Sequence, residues 1–188
     1  MKWRLGLLAV AATIFSSIPA LHATLTVPST LEYMIDFSDT IIIGHVKDKY
    51  SYWENQKIYT KIVIDVEQFV KNSYREKSTE IVLKVPGGKV GDTRLRVSGA
   101  PTFKVREKVM LFLKKTNHDY FPYGLSYGVY RISFDKEEGK EFIDGPFFNS
   151  PHHYDLKTRQ EVRNPQPLGR KELGAFLDHL KNLIHQGQ

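Results

Sequence analysis

Ile58, Thr60, Ile62, Ile64 and Val66 alternate with Tyr59, Lys61, Val63, Asp65 and Glu67. A period of two puts one row on a core and the other in solvent, which predicts a strand over residues 58–69. A one-residue slip would expose the whole apolar row, so the register is strongly specified. Ile81, Leu83 and Val85 alternate in the same way with Glu80, Val82 and Lys84, and Pro86-Gly87-Gly88 with Gly91-Asp92 supplies the turn chemistry of a hairpin after them. Two runs lack alternation: residues 40–46 are mostly β-branched, and Val109-Met110-Leu111-Phe112-Leu113 is continuously apolar. Both read as strands buried on two faces, and Gly44 inside the first marks a bulge or a close backbone approach. Residues 47–57 are polar apart from Tyr50, Tyr52 and Trp53 and read as a long exposed connection or a twisted hairpin end. Polar turns fall at 71–79, 114–119 and 136–139; residues 124–134 and Phe142-Ile143 supply the last strands.

Helical spacing is confined to the two ends. Leu31, Met34 and Ile35 follow Ser29-Thr30, whose hydroxyls can cap the first amides, and this predicts a short helix to Phe37 on one end of the β core. Leu173, Phe176, Leu177, Leu180, Leu183 and Ile184 fall on one stripe of an amphipathic helix over 169–186. At about 1.5–3 kcal/mol per buried large side chain, that stripe is expected to pack on the barrel rather than face water. Six or seven short strands without repeats or βαβ units predict an all-β fold with terminal helices, in the form of a small antiparallel barrel or a sandwich. The expected organisation is a leader at 1–23, a β-barrel domain with its short N-terminal helix at 24–145, an irregular linker at 146–168 and the C-terminal helix at 169–186.

Composition adds a compartment. Lys2 and Arg4, the apolar LGLLAVAATIF and the small residues near Ala20 and Ala23 have the three parts of a secretory signal peptide, and the apolar run is short for a membrane span. Without residues 1–23 the chain keeps 25 basic against 21 acidic side chains, +4, too small an excess for a nucleic-acid footprint. The chain has no Cys, which excludes thiol catalysis, thiolate metal sites and disulfides. No Asn precedes a Ser or Thr by two positions, so there is no glycosylation acceptor; both features lean towards a bacterial envelope or secreted protein.

The succession SDTIIIGHV, IYTKIVIDVEQFVK, VPGGKVGD, VSGAPTFKVREKVMLFL and YGLSYGVYRI resembles an uncharacterised family of exported bacterial proteins. The resemblance covers about residues 38–135 and implies a small antiparallel OB-like β-barrel outside the cytosol, with no reaction attached. Where that pattern leads one to expect Gly before the Glu of the last turn, this chain has Arg106.

Candidate chemistry is sparse. Gly124-Leu125-Ser126-Tyr127-Gly128 fits the G-x-S-x-G pattern, with Asp155 and His179 following in hydrolase order. It runs into Val129-Tyr130-Arg131-Ile132, however, a strand where a nucleophile elbow needs a helix, so an esterase-like hydrolase using Ser126 stands as an alternative only. His152, His153 and Asp155, with His118 or Asp119, form a weak metal-ligand cluster, whereas His179 and His185 are six apart and share no ligating face. Gly87-Gly88-Lys89-Val90 lacks the first Gly and the Ser or Thr of a phosphate loop and is a turn. Lys84, Lys89, Arg94, Arg96, Lys104, Arg106 and Lys108 mix with aromatics as on strand faces that bind single strands or sugars. Export argues against nucleic acid. The expected function is therefore a non-enzymatic exported binding module without cofactor. It presents Tyr50, Tyr52, Trp53, Tyr120, Tyr123 and Tyr127 to a protein, peptide or polysaccharide. A metalloprotease-inhibitor-like barrel is a further alternative, although such inhibitors begin with a Cys that this chain lacks.

Overall fold

The computed structural model describes residues 29–117, 119–150, 152–155, 158–163 and 169–186. The expected leader lies outside them. Helix α1 (Leu31–Phe37) is followed by β1 (Thr40–Glu54), β2 (Lys57–Asn72), β3 (Glu80–Pro86), β4 (Gly88–Val90), β5 (Thr93–Leu95), β6 (Lys108–Thr116) and β7 (Asp119–Pro122). Then come β8 (Val129–Asp135), β9 (Lys140–Asp144), β10 (His152–Asp155), β11 (Gln160–Arg163), β12 (Lys171–Glu172) and helix α2 (Leu173–Gln186). The protein is mostly β with a helix near each end, as the alternation requires.

The main sheet has the order β1-β2-β3-β7-β6-β8-β9-β12, and β1 also pairs with β6, which closes a ring of five strands. All its pairings are antiparallel except β3 with β7, which meet in parallel at Leu83 and Tyr120. That parallel closure departs from the all-antiparallel expectation. It follows from chain path: β7 turns back on β6, which itself runs antiparallel to β1.

The unbroken apolar run of β6 serves two cores. Val109, Leu111 and Leu113 join Ile42, Ile62, Ile64, Ile81 and Leu83 in one cluster. Met110 and Phe112 join Ile41, Ile43, Tyr130, Phe148 and the helices in another. Successive strand residues alternate faces, so a strand between two cores has no polar row. Thr30 caps α1 by accepting the Tyr33 amide at 3.4 Å, and Leu31, Met34 and Ile35 enter the second core. Leu173, Phe176 and Leu180 of α2 enter the same core, with Leu177, Leu183 and Ile184 packed at its margin. Among the described residues no helix is long and apolar enough to cross a membrane.

Within residues 146–168, expected as an irregular linker, the described residues include regular elements. A 3-10 turn at Pro146–Asn149 delivers Phe147 and Phe148 to the second core, and β10 pairs with β11 in a separate hairpin.

Arg106 closes the turn into β6 with φ of 73°, its amide donating to Val46 O at 2.7 Å. Left-handed backbone strains any side chain with a Cβ. Arg106→Gly is therefore expected to raise unfolding free energy in urea by about 0.5–1 kcal/mol, after the larger backbone freedom of glycine in the unfolded chain is subtracted.

Candidate functional site

Beyond the ring, β1 and β2 continue as a long hairpin, paired from Tyr50 with Lys61 to Glu54 with Lys57. Its tip residues Asn55 and Gln56 have φ of 47° and 63°, the two left-handed residues that a tight two-residue turn needs to match strand twist. Ile62 and Ile64 face the barrel interior, so alternation turns Tyr59 and Lys61 outward, together with their partners Tyr52 and Tyr50.

This arrangement makes a row. The rings of Tyr50 and Tyr52 lie 6.4 Å apart, as do those of Tyr52 and Tyr59. Lys61 Nζ stands 5.5 Å over the Tyr52 ring and Lys84 Nζ, from β3, 4.7 Å over that of Tyr59. Each ammonium lies against the negative face of a ring, which fixes both partners. Lys84, with a side chain only 13% exposed, also pairs with Glu54 and with Asp119 at 3.5 Å. The Glu54 hydrogen bond holds the Lys84 ammonium above its ordinary pKa against the opposing effect of burial. Burial in turn pushes the Tyr52 hydroxyl up, so Lys84 stays protonated beside a neutral Tyr52 phenol. The outcome is an ordered row of rings that carries the Lys61 charge, while the Lys84 charge is balanced by Glu54 and Asp119.

The six aromatic residues anticipated from sequence do not share one face. Tyr50 (50% exposed) and Tyr52 belong to the row, but Trp53 pairs with Ile58 and so occupies the opposite face of the hairpin, 51% exposed. Tyr120 is only 6% exposed, and its hydroxyl donates to Glu76 Oε1 at 3.0 Å. Tyr123 packs against Tyr33 and Phe37 of α1, each at 6.4 Å, and Tyr127 is half-buried beside Gly124. Tyr59, Lys61 and Lys84 complete the row instead. Tyr59 was legible as the outward partner of Ile58, but not as the cross-strand neighbour of Tyr52.

Ser126 lies in a 3-10 turn, Leu125–Gly128, between β7 and β8, and its amide donates to Gly99 O at 3.1 Å. Left-handed φ falls on Gly124 and Leu125, not on Ser126, and the chain leaves the turn as a strand. Among the described residues no histidine side chain is hydrogen-bonded to Ser126. His152 sits on β10 with Nδ1 3.6 Å from Glu161 Oε1. His118 and the side chains of His153 and Asp155 lie outside the described residues, among which no group of three metal-ligating side chains converges.

Compared with known proteins, the chain matches no family model and no curated sequence.

Proposed function

We propose that this chain is an exported, non-enzymatic binding module built on a small OB-like barrel, and that the row Tyr50, Tyr52, Tyr59 with Lys61 and Lys84 is its contact surface for a protein or peptide partner. The observation that carries the reading is the row itself: three rings held in register across two strands and pinned by two lysines. Tyrosines presented rigidly supply large contact area at small entropic cost and dominate protein interfaces. Successive rings are tilted by 47° and 35°, which favours the varied relief of a polypeptide over the flat stacking of a sugar chain. The OB-like part of the reading rests on the closed order β1-β2-β3-β7-β6 with its parallel β3–β7 contact. The export part rests on the leader pattern at 1–23 and the absence of Cys.

The test is crosslinking and pull-down from envelope and medium fractions with the wild type and with Tyr52→Ala/Tyr59→Ala. Loss of a partner captured by the wild type is expected, since truncating central interface tyrosines costs on the order of 2–4 kcal/mol each. Unchanged capture of every partner would refute this surface. Fluorophosphonate labelling that vanishes in Ser126→Ala would replace the reading with a serine hydrolase.

A further inference from the structure

The other face of the same hairpin carries a different feature. Residues 87–99, which contain β4 and β5, fold back as an arm over the barrel mouth and enclose a groove of about 750 Å3. The root of the arm is fixed by contacts that only glycine permits. A Cβ on Gly88 would lie 2.4 Å from both Ser51 Oγ and Thr60 Oγ1, and Gly88 has φ of 141°. The two hydroxyls are 2.9 Å apart, Thr60 donates to Gly87 O at 2.7 Å, and Ser51 Oγ accepts the Lys89 amide at 3.3 Å. On the far side Lys49 Nζ donates to Phe103 O at 2.6 Å. The groove is therefore held open from both sides, with its polar root groups already satisfied.

Its lining divides into two parts. Ile62, Val85 and Phe103 form an apolar floor, and the exposed Leu95 and Val97 form one wall. Lys89, Arg94 and Arg96 bring three cations to the arm side, and no acidic residue among those described lines the groove. Several strand cations elsewhere have acidic partners: Lys108 with Glu67 and Glu141, Lys114 with Asp39, Lys115 with Glu76, Lys140 with Glu172. Lys89, Arg94 and Arg96 have no ion-pair partner among the described residues, and Asp92 at the arm tip is not part of the lining. Lys89 and Arg94 are moreover direct cross-strand partners. Like charges in that relation destabilise a two-stranded ribbon, and this ribbon has no third strand to offset the repulsion. The arrangement makes sense where an anion supplies the missing countercharge.

We infer that the groove binds an amphipathic organic anion, its carboxylate or phosphate head between Lys89, Arg94 and Arg96 and its apolar body along Ile62, Val85 and Phe103. The volume lies within the range of small-molecule sites, and the mixture of apolar lining with a few convergent polar groups is their usual chemistry. This inference does not rest on the tyrosine row, whose side chains alternate to the opposite face of the hairpin, although Tyr50 also borders the groove.

The test is calorimetric titration of the protein with decyl phosphate below its micellar concentration, alongside decanol and inorganic phosphate. Decyl phosphate is expected to bind at least about tenfold more tightly than either half-molecule, and less tightly as salt is raised. Arg94→Glu should lose that affinity by about tenfold or more while melting no lower than the wild type, because it replaces a repulsive strand pair by an attractive one. Arg96→Gln, which alters no strand pair, should weaken binding several-fold. Equal affinity for decanol or for phosphate alone, or wild-type affinity in both variants, would overturn the inference. Cosedimentation with phosphatidylglycerol vesicles that Arg94→Glu abolishes would assign the anion to a membrane lipid; binding of decyl phosphate without cosedimentation would assign it to a free molecule.

Discussion

Tyr130→Ala is expected to lower unfolding free energy by about 3–5 kcal/mol, the range for deleting a buried aromatic ring. Tyr130 is fully buried where the sheet meets the two helices. Its ring lies 5.4 Å from Phe112 of β6, 5.7 Å from Phe148 of the 3-10 turn and 6.4 Å from Phe176 of α2. Three elements distant in sequence thus share one side chain, and the space left by alanine cannot be refilled by moving any one of them. The surroundings are also tight: a Cβ on Gly145 would fall 2.2 Å from the Tyr130 ring. Burial drives the Tyr130 phenol far above its ordinary pKa, and the hydroxyl's side-chain partner is the Met34 sulfur at 3.7 Å. A thioether is a weak acceptor, but the hydroxyl is also hydrogen-bonded to the Phe147 backbone, so Tyr130→Phe is expected to cost about 1–2 kcal/mol, less than loss of the ring. Urea unfolding of the two variants separates ring packing from hydroxyl pairing. A loss below about 1 kcal/mol for Tyr130→Ala would mean that α2 and the Phe147–Phe148 turn are not docked on the sheet.

What the sequence disclosed was whatever depends on neighbours along the chain. The two rows of β2, the Thr30 cap and the stripe of α2 each follow from a local period, and each occupies its expected place. The apolar run 109–113 was legible as doubly buried, but its two cores are formed by residues as far apart as Ile42 and Phe176. Whether residues 47–57 are a loop or a hairpin end stayed open in the sequence because they bury little, and because the tip is Asn55-Gln56 rather than the Asn-Gly that usually announces such a turn. Once that stretch is a strand, alternation separates Trp53 from Tyr50 and Tyr52, and pairing brings in Tyr59. The groove was hidden for the same reason. Gly87-Gly88 reads as a turn in isolation, whereas the demand for glycine at 88 comes from Ser51 and Thr60, hydroxyls contributed by two other strands.

Gly44→Ala is the second substitution expected to have a large effect, and it tests how tightly the five-stranded ring is closed. The new Cβ would lie 2.4 Å from Asp65 O, 2.8 Å from Ile64 Cγ2 and 3.2 Å from Asp65 C. Two of those atoms are backbone of β2, so no rotamer change relieves the contact; β1 itself has to move. Gly44 is paired on one side with Val66 and on the other with Val109, beside a shift in register between Ile43 and Gly44. Displacing β1 from β2 therefore also presses it on β6, across the two ladders that close the ring. Overpacking costs about 1–3 kcal/mol where side chains can adjust, and a backbone clash between two ladders belongs at about 3 kcal/mol. Gly91→Ala is the matching control. It sits at φ of 58° with nothing within 4 Å of its would-be Cβ, so only left-handed strain of about 1–2 kcal/mol opposes it. Urea unfolding should rank Gly44→Ala as the more damaging of the two, and amide exchange should quicken in β1, β2 and β6 together. The reverse ranking, or faster exchange confined to one strand, would mean that the β1–β6 pairing does not hold the ring shut.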